Sequence, residues 1–261
     1  MKKLPLVQAL AWIIGSTLFL TGGTYRGFKH YLTYRHQIQA DPKYYLSRII
    51  QTGPQREALN TAYLAQLMHI SVDTPITYGA FDINLAAERL SQSPVIKEAT
   101  VKLIEPDTIY VDYTVRQPIA WLYDFTNVAI DEAGCPFPVT PFFSPKKLPE
   151  LYLGIDQMAW NTALRGKEID LALSILTLIS KLNFSLKRLD VSNAFASTLG
   201  RREIVMVVEE KGFAHYLRLS LKDYPQELGN YLELRSQLPP KSHIIDLRIP
   251  QLGFIQEKKE I

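Results

Sequence analysis

From Leu4 to Tyr25 the chain (LPLVQALAWIIGSTLFLTGGTY) carries no charged residue. A helix needs about 20 mostly apolar residues to cross the roughly 30 Å hydrocarbon layer, so this stretch predicts one membrane span. Lys2 and Lys3 precede it and Arg26, Lys29 and Arg35 follow it. Trp12 lies inside, with Tyr25, Tyr31 and Tyr34 at the far side, where amphipathic rings favour the headgroup region. A cleaved signal peptide begins in the same way, but the stretch has no A-x-A-like site and an uncleaved span is the preferred reading. The basic residues after the span slightly outnumber those before it, which alone would hold the C-terminal side inside. Large following domains translocate largely regardless of nearby charge, and a lone cysteine suits an extracytoplasmic body. The expected start is thus a cytoplasmic tail over 1–3, a span over 4–25, and a juxtamembrane linker over 26–43 that ends at Asp41-Pro42.

Beyond the span, 47% hydrophobic and 21% charged residues describe a chain able to build cores, and exclude wholesale disorder and collagen-like repeats. A net charge of +3 is too small for a nucleic-acid partner. Cys135 is the single cysteine, so neither an internal disulfide nor a multi-Cys metal site is available. His30 and His36 are six apart, which does not align two ligands on a helix, and His69, His215 and His243 fall on separate predicted elements. The sequence has no G-x-S-x-G, no phosphate-binding loop, no G-x-G-x-x-G and no H-E-x-x-H. The chain is expected to be non-enzymatic, with no catalytic, cofactor or metal residues and no small-molecule ligand.

Residues 44–118 read as one unit. A strand over Tyr44–Gln51 ends at Thr52-Gly53-Pro54, and Arg56–Ile70 places Leu59, Tyr63, Leu67 and Ile70 on one helical stripe. Asp82 N-caps a second helix through Leu90, stopped by Ser93-Pro94. Strands over Lys97–Ile104 and Thr108–Arg116 flank the turn Glu105-Pro106-Asp107, the second with strict alternation. The predicted order is β-α-α-β-β. From Ile119 the pattern is mainly strand: Ile119–Tyr123, Val128–Asp131, a turn at Glu132-Ala133-Gly134, and a proline-rich loop over 141–150. A helix follows over Lys167–Leu182, then a hairpin of Glu203–Glu209 and Phe213–Leu219. Pro225 opens another helix, His243–Ile249 is the last predicted strand, and an apolar patch over Leu252–Ile255 precedes a charged tail at 257–261.

Three segments in order carry a resemblance: Ser93 to Lys102 with Glu105-Pro106-Asp107-Thr108-Ile109; Val115-Arg116-Gln117-Pro118-Ile119-Ala120-Trp121; and Val128 to Phe137, which contains the turn Asp131-Glu132-Ala133-Gly134. With Ile245-Asp246-Leu247-Arg248 near the end, they resemble the FtsQ/DivIB family of bacterial cell-division proteins. Arg116 stands where family members often have Glu, and Ile249-Pro250 stands where an aromatic commonly follows the D-L-R.

The resemblance implies an α+β chain: an N-terminal transmembrane helix, a POTRA domain of β-α-α-β-β order over 44–118, and a mainly antiparallel β domain with flanking helices over 119–256. It implies a single-pass type II protein of the cytoplasmic membrane, at the division septum, held in lipid through residues 4–25. It also implies FtsB-like and FtsL-like partners, received by strand addition beside the last β element, and thereby a part in controlling septal peptidoglycan synthesis. Carried onto this sequence, the partner-binding residues are Arg202, Asp246, Leu247, Arg248, Ile249, Leu252 and Phe254. Other classes compatible with the same elements are a single-POTRA transport or assembly factor and a secreted enzyme.

Overall fold

Helix α1 runs unbroken over Leu6–Ala40 in the computed structural model, which describes residues 6–54, 56–71, 73–182 and 185–258. The expected linker over 26–43 is therefore helical as far as Ala40. Its sequence holds no proline before Pro42 and one glycine, Gly27, so nothing interrupts the ladder until Asp41, which the following proline disfavours as helix. Every described side chain from Leu10 to Arg35 is exposed, Trp12 to 76% and Phe19 to 83%. The hydroxyls of Thr17, Thr21 and Thr24 each donate to the carbonyl four residues back, at 2.6–2.8 Å. Among the described residues no helix is long and apolar enough to cross a membrane; the expected tail and the first two residues of the expected span lie outside them.

The chain divides into two units, residues 1–52, 60–90 and 99–113 in one and 53–59, 91–98 and 114–261 in the other. After α1 the order is β1 (Arg48–Thr52), α2 (Thr61–Leu67), α3 (Ile83–Ser91), β2 (Ile96–Ile104) and β3 (Thr108–Val115), which is β-α-α-β-β. The three strands form a sheet of order β1-β3-β2, with β1 parallel to β3 from Arg48↔Thr108 to Thr52↔Asp112. Helix α2 is shorter than the apolar stripe predicts. Asn60 caps it, accepting from Ala62 N at 2.9 Å, and His69 at φ 58° leaves the helical region just beyond it. Asp82 caps α3 as predicted, its Oδ1 accepting from Asn84 N and Leu85 N. Leu64, Met68, Leu90, Ile109 and Val111 are buried.

Among the described residues, the large sheet of the second unit has nine strands, accompanied by two α-helices. In chain order they are β4 (Ala120–Leu122), β5 (Val128–Ile130), β6 (Pro136–Pro138), β7 (Glu150–Tyr152), α4 (Lys167–Ser180), β8 (Ser185–Asp190), β9 (Ile204–Glu210), β10 (Phe213–Leu219), α5 (Tyr224–Leu234), β11 (His243–Ile249) and β12 (Leu252–Glu257). They form one sheet of order β12-β11-β10-β9-β8-β7-β4-β5-β6. Five of its pairings are antiparallel and three parallel, so the sheet is mixed and mainly antiparallel. Along β10 and β11 every second residue is buried, Leu217, Leu219, Ile245 and Leu247 among them. These pack in one core with Ile169, Ala172, Ile175 and Ile179 of α4 and Leu228 and Tyr231 of α5. The two helices therefore cover one face of the sheet, as a period of two against a helical stripe requires. Strands β6, β7, β8 and β12 are additions to the predicted set.

Candidate functional site

A strand at the end of a sheet carries backbone N–H and C=O groups without partners, which is why natural edges are usually short, charged, prolinated or covered. Strand β12 holds no proline, and its one charged residue, Glu257, stands at its far end, paired with Lys241. Among the described residues it pairs with β11 on one side only, and all of its residues are exposed. Leu252, Phe254 and Ile255 stand 58%, 58% and 45% exposed. An exposed apolar edge of this kind is what strand addition uses.

The hairpin that makes the edge turns at Pro250-Gln251, between the paired residues Ile249 and Leu252, with Gln251 at φ 63°. A proline followed by a residue of positive φ is the pattern of a type II turn. The ladder then runs from Asp246↔Phe254 to His243↔Glu257, so two residues of β11, Leu247 and Arg248, face Gly253 alone. That is a β-bulge. Glycine suits it, since a Cβ there would stand 3.3 Å from Leu247 Cδ2.

Asp246 lies on the helix-free face, because its neighbours Ile245 and Leu247 point into the core. Phe254, its register partner, shares that face, while Ile255, paired with Ile245, lies on the α5 face. Beside Phe254 is a four-charge cluster. Arg248 Nε and Nη2 donate to Asp246 at 2.9 and 2.6 Å, and Arg218 Nε donates to Glu203 at 2.6 Å. Arg248–Glu203 at 3.3 Å and Arg218–Asp246 at 3.4 Å close the ring. Burial pushes the Asp246 carboxyl up, but its hydrogen bonds from Arg248 outweigh that and leave it below the usual 3.8. The same hydrogen bond holds the Arg248 guanidinium above its usual value.

The predicted partner-binding residues thus separate. Ile249, Leu252 and Phe254 are exposed on the hairpin. Leu247 is a core residue, 6% exposed. Asp246 and Arg248 bond each other and sit on β11, which is flanked by β10 and β12 on its two sides. The open backbone edge is therefore 252–257 and not 246–249: the apolar patch after the last predicted strand is itself a strand. Arg202 precedes β9 and donates through Nε to Ala196 O at 2.7 Å.

Two arrangements escaped the sequence. Arg116 Nη1 pairs with Asp131 Oδ2 at 2.7 Å, with both side chains nearly buried, at 12% and 8% exposure. Asp131 Oδ1 also accepts from Ala133 N and Cys135 N, fixing the turn in which Gly134 takes φ 74°. Arg116 thus has an acid of its own, the aspartate that starts the turn Asp131-Glu132-Ala133-Gly134. The second is a histidine pair. His215 and His243 are in register on parallel strands, their rings 5.4 Å apart, and each is almost wholly buried. Tyr231 Oη lies 2.8 Å from His215 Nδ1. Burial pulls the His215 imidazole below 6.5, and the adjacent His243 adds to this. Only the pairing of β10 with β11 brings the two together, which no local pattern announces. No family model matches the chain, and no curated protein is detectably similar to it.

Proposed function

We propose that this chain is a non-enzymatic, membrane-anchored division scaffold of the FtsQ/DivIB kind, and that β12 receives a strand from an FtsB-like protein paired with an FtsL-like one. The observation that carries the reading is the open β12 edge, apolar on both faces and, among the described residues, unpaired along its outer side. The β-α-α-β-β order of the preceding elements supports a POTRA unit. Helix α1, together with the residues before it, supplies the anchor. Its exposed Trp12, Ile13, Leu18 and Phe19 suit lipid, and hydroxyls bonded to the helix's own carbonyls need no water. The bulk of the chain then lies outside the cytoplasm, and bringing the partner pair to the septum is how it bears on septal peptidoglycan synthesis.

The test is a photo-crosslinking amino acid placed in turn at Phe254 and Gln256, and as a control at Pro138, in dividing cells, with captured proteins identified by mass spectrometry. Capture of a small coiled-coil membrane protein from Phe254 and Gln256 but not from Pro138 is the expected result. Equal capture at both edges, or none at β12, overturns the reading.

A further inference from the structure

Between α5 and the β11–β12 hairpin runs a groove of about 590 Å³. Leu252, Gly253 and Ile255 of the edge strand form one wall, with Leu234 and Leu247 also lining it. The other wall carries carboxylates, Asp223 and Glu227, four residues apart and so on one face of the helix. Asp223 is at the N-cap position of α5, yet its side chain makes no capping bond. Glu227 is 6% exposed and accepts from Ser220 N at 2.7 Å. Burial pushes its carboxyl above 4.5, and the negative charges of Asp223 and Asp246 add to this while the bonds from Ser220 oppose it. Of the cations closest in sequence to the hairpin, Lys241 and Lys258 are engaged with Glu257 and the Tyr216 ring respectively, and Arg248 is bonded to Asp246 and Glu203, with a weaker electrostatic reach to Glu227.

A strand added outside β12 lies about 4.8 Å from it and alternates its side chains between the two faces. Those on the α5 face come down beside Ile255 and Leu252, at the mouth of the groove. The matching side chain needs an aliphatic stem for the apolar wall and a positive head for the acidic one, a description that fits arginine and lysine and excludes purely apolar or acidic residues. We propose that the strand accepted by β12 carries an arginine or lysine on its α5-facing side, seated in this groove against Asp223 and Glu227. The proposal rests on the strand-addition reading above and adds to it the partner's chemistry: alternating apolar residues with a cation at one inward position.

The experiment is selection of a randomised ten-residue displayed peptide library on the full chain held in detergent micelles, followed by affinity measurements on the selected peptides. The expected outcome is a set of alternating peptides enriched in Arg or Lys at one position, whose binding is abolished by Ile255→Lys. Replacing that cation by Met should weaken binding about tenfold on the unaltered chain, and less than about twofold on the Asp223→Asn/Glu227→Gln chain. The double variant keeps an acceptor for Ser220 N, and an unchanged thermal midpoint establishes that it is folded. Peptides that bind the edge with no basic preference, or that lose as much on the double variant, overturn the groove proposal and leave strand addition standing. Absence of any edge-dependent binder, or self-association of the chain through β12 in sedimentation, overturns both.

Discussion

The nine-stranded sheet ends differently at its two sides. Strand β6 is Pro136-Phe137-Pro138, so the strand keeps a single N–H, and Phe137 is fully buried against Phe143 with ring centroids 5.6 Å apart. Strand β12 has no proline, is wholly exposed and presents Leu252, Phe254 and Ile255. Proline and burial at one edge are the usual protections against unwanted pairing. Their absence at the other shows that an apolar edge can be the product of leaving one side undefended within a sheet that defends the other.

The sharpest way to break this contrast is at the closed side. Asp131→Ala leaves the Arg116 guanidinium buried without its acid and two turn N–H groups unbonded, and should cost about 3–5 kcal/mol in urea unfolding. Phe137→Ala is expected to cost about the same, as a fully buried ring lost from a packed core, whereas Phe254→Ala should cost less than about 0.5 kcal/mol. Were the two phenylalanines equally costly, the edges would not differ in the way described.

A pH series probes the sheet just inside the open edge. The folded chain favours neutral His215, so the unfolded chain takes up a proton first as pH falls; stability is fully present above about 6.5 and declines below it. Glu227, raised by burial, works in the opposite sense: its contribution is greatest below 4.5 and is lost as pH rises through its folded value. A lower thermal midpoint at pH 5.5 than at pH 7.5, flattened in His215→Gln, is the expected outcome by circular dichroism. The smallest effect belongs to Lys241→Ala, which removes the Lys241–Glu257 pair at the far end of β12. Both side chains are more than half exposed, so the loss should be about 0.5 kcal/mol and vanish near about 1 M salt.

Local chemistry made much of the fold legible. Asp82 announced α3, the alternation of Ile109, Val111, Tyr113 and Val115 announced β3, and the paired runs Glu203–Glu209 and Phe213–Leu219 announced the β9–β10 hairpin. What stayed hidden depends on pairing at a distance. Strand β7 is three residues that begin where a proline-rich stretch ends, and β12 follows a proline and holds a glycine, so neither has the run of β-branched residues that marks a strand. Both exist because a neighbour completes them. The same holds for the site: Leu252 and Phe254 were readable as an apolar patch, but Leu247 became core, and Asp223 and Glu227 acquired meaning only when α5 was laid beside the hairpin.

The proline-closed β6 has a consequence for stoichiometry. A sheet open on both sides can be extended without limit, each copy templating the next, which is the geometry of fibres. Here extension can happen at one side only, so the large sheet has a valence of one: a single added strand saturates it, and even two copies meeting edge to edge would close on themselves and stop.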